Sequence, residues 1–335
     1  MNVTSMDVAR VAKVSQATVS RVLNDNPNVS EEKRAAVLAA MEAVGYRPNV
    51  LAQGLRMRKT ATIGVVVAGI TNPFYPEALE AVGKQLERAG QRMVLWDSDR
   101  GGEEAALDAV QQGLVDGVIF TSVSEGSGTL DEALRLKAPI VLLNRGSINA
   151  SCDQVTSNNF EGAAEAARYL YQIGHRRIGL LGGPLAARTA RDRMDGFLHG
   201  LRELGQPVPD ELICDALFTH EGGRMGVQEL LDLDDPPTAV FCVNDFSAFG
   251  AVDGAREAGL DVPLQLSVVG YDDVAMAAWR SYQLTTVSQQ LDAMSGRAVE
   301  LLLRRVGRHE APVRHDHFSG ALVIRNTTAP PASQA

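Results

Sequence analysis

The spacing of apolar residues changes character near position 60. Before it, small apolar sets recur at helical intervals; after it, unbroken β-branched runs alternate with helical stretches. Val8, Ala9, Val11 and Ala12 mark a short helix that opens on Thr4-Ser5-Met6-Asp7, a capping-box sequence with Thr4 as N-cap and Asp7 reaching back. Lys13-Val14 predicts a turn. Ser15 caps a second helix from Gln16 to about Asn24, with Val19, Val22 and Leu23 on its apolar face. Asn24-Asp25-Asn26-Pro27-Asn28 is a loop signal, and Ser30 caps a third helix from Glu31 to Val44 that stops at Gly45. Three short helices with a tight first turn form a helix-turn-helix pattern.

From position 61 the run Ala61-Thr62-Ile63-Gly64-Val65-Val66-Val67 predicts a strand buried on both faces. A helical stretch follows from about Pro73 to Ala89, stopped by Gly90. Met93 to Trp96, Gly117 to Phe120 and Ile140 to Leu143 predict further strands, with helices between them. Such alternation implies right-handed βαβ units. Arg177-Ile178-Gly179-Leu180-Leu181-Gly182 starts the pattern again. It continues with a helix near Arg191–Leu204, strands at Ala239–Cys242 and Leu266–Val269, and a helix from about Asn244 to Ala258. The predicted fold is an α-helical helix-turn-helix head followed by an α/β body of two lobes, each an open parallel sheet. Ligands of such sheets bind beyond the carboxyl ends of the strands.

Composition supports more than one domain: 335 residues exceed a single compact core. With 45% hydrophobic and 22% charged residues the chain reads as an ordinary globular protein. No run approaches the ~20 apolar residues that span a bilayer. Met1-Asn2-Val3-Thr4-Ser5 has neither the basic nor the apolar region of a secretory signal, so a cytoplasmic, nucleoid-associated location without membrane contact is expected. Cys152, Cys214 and Cys242 are isolated, as in a reducing compartment, and His315 and His317 form the only close histidine pair, which reads as surface. No metal or cofactor is expected. The net charge of -9 conceals an asymmetry: residues 1–60 carry nine Lys/Arg against five Asp/Glu, leaving 23 against 36 for the rest. A basic head on an acidic body suits a DNA-binding module joined to a part that avoids DNA. No G-x-G-x-x-G after a strand, G-x-S-x-G, H-E-x-x-H or P-loop is present, so no catalytic residues and no enzyme activity are expected.

The polar face of the second helix suits the major groove. Gln16 and Arg21 reach base edges, Ala17 can touch a thymine methyl, and Thr18 and Ser20 can contact phosphate or base. The alternative is a small helical bundle with a solvated face. Asp7-Val8-Ala9, Val14-Ser15, Ala17-Thr18-Val19-Ser20-Arg21-Val22-Leu23-Asn24, Val29-Ser30-Glu31-Glu32 and Gly45-Tyr46-Arg47-Pro48-Asn49 together resemble the head of the lactose-repressor (LacI) family. The resemblance runs over nearly the whole chain. It implies that Gln16 and Ala17 vary operator choice and that Arg21 is a general base contact. Thr4, Ser5, Ser15, Thr18, Ser20, Asn24, Tyr46 and Asn49 complete the implied DNA-facing set. It also implies that residues 49–59 form a hinge that folds on DNA and pushes Leu55, beside Ala52, into the minor groove. Lys13 departs from the Gly frequent in the family's turn, and a non-Gly residue there can need positive φ.

The resemblance extends to the body, which is similar to the family's sensor domain, a fold shared with periplasmic sugar-binding proteins. It implies a head over 1–48, a hinge over 49–59, a sensor over 60–328 and a disordered tail over 329–335. One lobe would comprise about 60–158 and 288–318, the other about 159–287 and 319–328, with crossovers near Asn158, Val287 and Ser319. The candidate ligand residues are Asn72, Phe74, Tyr75, Asn144, Arg145, Arg193, Phe218, Asn244, Asp272 and Gln290. Carboxylates and arginines bond vicinal hydroxyls, and aromatic faces cover the C–H surface of a ring, so the set suits a sugar or sugar acid. Arg145 and Arg193 tolerate an acid, although Arg145 can equally pair with a carboxylate across the cleft. Asn72, Asn244 and Asp272 each fit a helix N-cap as well. Asn158 stands where Asp is frequent, Leu291 where an aromatic often lies, and Tyr282-Gln283 replaces a usual proline. The implied protein is a homodimeric, effector-responsive repressor on a near-palindromic operator of a carbohydrate or sugar-acid operon; the rival reading is a solute-binding protein of a transport system.

Overall fold

The structure, a computed structural model, describes residues 3–23, 26–46, 60–122, 128–147, 151–308 and 310–332. It divides into two compact units, Met1–Thr60 and Ala61–Ala335. Asn24, Asn49, Ala52 and Leu55, and with them the whole expected hinge, lie outside the described residues.

The first unit holds α1 (Ser5–Val11), α2 (Gln16–Leu23) and α3 (Glu31–Val44). The Asp7 carboxylate accepts from the Thr4 N–H at 3.0 Å and from its hydroxyl at 2.8 Å, which fixes the start of α1. Ser15 Oγ accepts the Thr18 N–H at 3.1 Å, capping α2. Lys13, in the turn, has φ 51°, the left-handed conformation that glycine adopts freely. Gly45 ends α3 at φ 65°. Val8, Val19, Val22, Val37 and Ala40 form the buried centre, with Tyr46 packed at its margin.

The second unit contains two six-stranded sheets. The first takes the order β11-β5-β4-β3-β1-β2, all parallel. Its strands are β1 (Thr62–Val67), β2 (Arg92–Asp97), β3 (Gly117–Phe120), β4 (Ile140–Leu143), β5 (Asp153–Ser157) and β11 (His315–Phe318). Helices α4 (Phe74–Arg88), α5 (Gly102–Gln111), α6 (Gly128–Arg135) and, from late in the chain, α11 (Leu291–Gly307) accompany it. The second sheet takes the order β12-β10-β9-β8-β6-β7. It is built from β6 (Ile178–Gly182), β7 (Ile213–Asp215), β8 (Ala239–Cys242), β9 (Ser267–Asp272), β10 (Thr285–Ser288) and β12 (Ala321–Val323). Its helices are α7 (Asn159–Gln172), α8 (Arg188–Glu203), α9 (His220–Leu231) and α10 (Asp245–Glu257). The edge strand β12 runs antiparallel to β10, so this sheet is not wholly parallel. That strand is the return of the third crossover, which needs no helix and so enters from the opposite end.

The chain passes between lobes after β5, after β10 and after β11, and the three passages are tied together. Asn158 Nδ2 donates to Ser319 Oγ at 3.1 Å, and Gln290 Nε2 donates to the Ser319 carbonyl at 2.8 Å. Gln283, where the family often has proline, has φ 48°, a value that a proline ring forbids. Close helix contacts depend on glycine. A Cβ on Gly250 of α10 would lie 1.8 Å from the His220 carbonyl oxygen of α9. The expected tail needs correction at its start: the Ala329 N–H donates to Ser267 Oγ at 3.1 Å, and the Ala329 carbonyl pairs with His175 Nε2 at 3.0 Å. These bonds anchor the segment to the second lobe. Among the described residues no helix is long and apolar enough to cross a membrane.

Candidate nucleic-acid interface and ligand cleft

Burial of Val19 and Val22 fixes which face of α2 points outward. Gln16, Ala17 and Arg21 are exposed; Thr18 and Ser20 are half-buried. The polar residues are not all free to turn. Gln16 Nε2 donates to Ser5 Oγ at 3.0 Å, and the Ser15 and Thr18 hydroxyls pair at 2.9 Å. Arg21 and Ala17 thus present the least committed surface, one cation and one methyl.

In the second unit, strand ends and helix starts from both lobes converge on one cavity. Its walls are Asn72, Phe74, Tyr75, Asn144, Arg145, Thr189, Arg193, Phe218, Asn244 and Asp272. Nine of these ten were expected from sequence. The exception among the expected residues is Gln290, which is exposed at the crossover and bonded to Ser319 rather than facing this cavity. Its neighbour Gln289 takes the inward position. Gln289 is buried, and its Nε2 donates to Asp272 Oδ1 at 2.7 Å. Thr189 was missed because α8 starts at Arg188, three residues before the expected start.

The side chains in this cleft hold one another. Arg193 is 3% exposed; its Nε donates to Asn159 Oδ1 at 2.8 Å, its Nη1 to the Val243 carbonyl at 2.7 Å, and Nη1 lies 3.0 Å from Asp272 Oδ1. The guanidinium also sits 3.8 Å from the centre of the Tyr271 ring. Arg145 Nη2 donates to the Tyr75 hydroxyl at 2.9 Å. Asn244 caps α10, its Oδ1 accepting from the Ser247 N–H at 3.1 Å, and Asn72 Oδ1 accepts the Phe74 N–H at 3.0 Å. Both asparagines therefore act as caps while lining the cleft. Asp272 is no cap: it is an ion-pair partner, with φ 127°.

Beneath the cleft, Asp245 is fully buried, accepting Thr286 Oγ1 at 2.5 Å and the Val274 N–H at 2.9 Å. Burial, reinforced by Asp272, pushes its carboxyl up to about 8. Burial raises Asp272 as well, against the pull of Arg193 and Gln289. Burial also pushes the Tyr75 hydroxyl up, against the pull of Arg145, and keeps it neutral.

The shared cavity measures about 20 Å³, room for a single water and too small for a ring-sized molecule. A larger cavity of about 580 Å³ adjoins it on the crossover side. The two share Asn144 and Thr189, and Gln154, Thr156, His315 and His317 line the larger one. Both histidines are exposed, as expected, and stand at this cavity's wall, where His317 Nδ1 pairs with the Thr156 hydroxyl at 2.9 Å. Among the described residues no cluster of three or more His, Cys, Asp or Glu could hold a metal.

Residues 4–49 match the family described as bacterial regulatory proteins, lacI family, and residues 167–328 match a periplasmic binding protein-like domain. The HTH-type transcriptional repressor PurR of Escherichia fergusonii is 37% identical over 315 residues, 92% of this chain and 92% of that protein. This chain belongs to the lacI family. The ribose operon repressor of Haemophilus influenzae is 33% identical over 90% of this chain and 92% of its own. Among solved structures, a lac repressor dimer bound to operator and the anti-inducer ONPF superposes with a TM-score of 0.86 at 29% identity, covering 98% of this chain and all of that one. As a member of the lacI family, the chain is a DNA-binding, effector-responsive regulator of transcription and not an enzyme.

Proposed function

We propose that two copies of this chain repress transcription from a near-palindromic operator and that a polyol effector, a sugar or sugar acid, resets their grip on DNA. Residues 1–48 form the reading head in this proposal, 49–59 the hinge and 60–328 the sensor, and the protein works in the cytoplasm at the nucleoid. The observation that carries the reading is the convergence of nine expected ligand residues from both lobes on one small cavity. A ligand that parts or bridges these walls changes the angle between the lobes, and it acts only by favouring one lobe arrangement over the other.

Two further features support the reading. The outward face of α2 presents Gln16, Ala17 and Arg21, the residue types that read major-groove edges. On the free edge of the first sheet, Met93, Val94 and Leu95 of β2 are each about two-fifths exposed or more. Three consecutive exposed apolar residues on an edge strand suit a second copy packed against that edge. The ligand contacts are Asn72, Phe74, Tyr75, Asn144, Arg145, Phe218 and Asn244, with Arg193 and Asp272 as the frame that orients them.

A gel-shift titration of the purified protein on promoter DNA from its own locus tests the reading. A specific band that a sugar or sugar acid strengthens or dissolves is expected. Binding indifferent to duplex sequence would leave the solute-binding alternative.

A further inference from the structure

The two arginines of the cleft differ in what surrounds them. Arg193 has Asp272 at 3.0 Å, and its Nε and Nη1 also donate to Asn159 and to the Val243 carbonyl. Arg145, at the end of β4, has no carboxylate partner among the described residues. Its Nη2 donates to a neutral acceptor, the Tyr75 hydroxyl, and its Nε is buried with no hydrogen-bond partner. The Phe218 ring lies 5.9 Å from its guanidinium carbon, across the cleft. A buried, unpaired donor on a cation is a costly group in a folded chain.

The residue before it carries the complementary defect. Asn144 is 6% exposed, and its Oδ1 is buried without a donor. Its backbone is held at φ 71°, with the N–H donating to the Val155 carbonyl at 2.9 Å. Asn144 also lines both cavities, at the join between the small cleft and its larger neighbour. An unpaired cationic donor and an unpaired acceptor therefore stand side by side in one wall.

We infer that the effector is a hydroxy acid of sugar size, its carboxylate seated on Arg145 and an adjacent hydroxyl donating to Asn144 Oδ1. This assignment rests on the reading of the cleft as the effector site, and it narrows that reading from polyols in general to polyhydroxylated acids. The planar edge of a guanidinium matches a carboxylate. A neutral sugar offers that edge only a hydroxyl and leaves its charge uncompensated. The carboxylates nearby do not supply the missing charge: Asp272 faces Arg193 and Gln289, and Asp245 is turned to Thr286 and Val274. Glu77 points elsewhere, accepting the Ala275 N–H at 2.8 Å.

The test is isothermal titration calorimetry of the full-length protein with gluconate, glucuronate, glucose, sorbitol and glucose 6-phosphate. At least one acid should bind tenfold or more tightly than its neutral parent. Arg145→Gln should weaken that acid roughly 10- to 100-fold, the worth of one charge-assisted bond, and weaken the neutral compounds by a much smaller factor. Arg145→Lys, which keeps the charge without the planar fork, should restore part of the preference; it also serves if the Gln variant misfolds. Equal binding of acid and parent, no binding of either acid, or tighter binding of the phosphate ester would each overturn the assignment. Thr189→Tyr, which fills the cleft from the other lobe, separates the two readings. A neutral sugar that binds wild type at least as tightly as its acid, but does not bind this variant, overturns the acid and keeps the site. Any of the five compounds that still binds this variant removes the site itself.

Discussion

Arg193 Nη1 lies 3.0 Å from Asp272 Oδ1, with both side chains almost wholly shielded from water. The pair joins α8 to the end of β9 and fixes one wall of the cleft. It also holds a strained turn: Asp272 and Asp273 both have positive φ, at 127° and 57°. Asp273 is held in turn by Arg325 at 2.7 Å. Two consecutive non-glycine residues in such conformations persist only where surrounding bonds over-determine them, and such strain gathers at ligand sites.

Removing one partner of this pair strands the other in a buried setting. Arg193→Ala should therefore lower stability by about 3–5 kcal/mol, because Asp272 loses its countercharge. Urea denaturation of the full chain measures it. A loss below about 1 kcal/mol would mean that the pair is far more hydrated than its burial implies.

Asp245 should make stability depend on pH in an uncommon direction. Its folded carboxyl sits at about 8, above the 3.8 of the free group, so folding favours the protonated form. That contribution is complete below about pH 4 and is lost as the pH rises toward and through 8. In Asp245→Asn, the amide carries its hydrogens permanently and can still pair with Thr286 and the Val274 N–H. The variant should gain on wild type steadily between pH 5 and pH 8 in parallel denaturation curves. A constant difference across that range would show that Asp245 is already ionised at pH 5.

Gly250 lets α10 touch the backbone of α9. Its added Cβ would meet a carbonyl oxygen at 1.8 Å and the Arg224 nitrogen at 2.8 Å, neither of which can swing aside. Gly250→Ala should cost about 1–3 kcal/mol or more through forced separation of the helices. Calorimetric melting would record it, and a melting point equal to wild type would mean that the helices slide apart freely.

For the head, Arg21→Ala should weaken operator binding by about 1–3 kcal/mol and relax one base position. Competition gel shifts with single-base operator variants read both effects. Loss spread evenly over all duplexes would reassign Arg21 to the phosphate backbone.

Much of this protein is written in local patterns. Apolar spacing located α1, α2 and α3 nearly to the residue, because each is short, capped and amphipathic. The β-branched runs at Gly117–Phe120, Ile140–Leu143 and Ala239–Cys242 matched their strands, since both faces of a parallel sheet are covered. Asp153–Ser157 escaped notice because Asp-Gln-Val-Thr-Ser carries no such run. Its burial comes from a partner: Asp153 is 0% exposed and is held by Arg304 and Arg305 of α11, some 150 positions away. His315–Phe318 is legible only as the strand that pairs with it.

The sequence by itself determined a reading head, two sheet lobes and nine of the residues that line the cleft, because the elements follow from periodicity within a dozen positions and the cleft residues from their places after strands together with the resemblance to the lacI family. Tertiary structure alone decided which of two arginines keeps an unpaired charge, which of two adjacent glutamines faces inward, and that burial raises the Asp245 carboxyl. Those outcomes depend on distances between segments far apart in the chain, and charge is set by what stands within a few ångströms rather than by what precedes it in order.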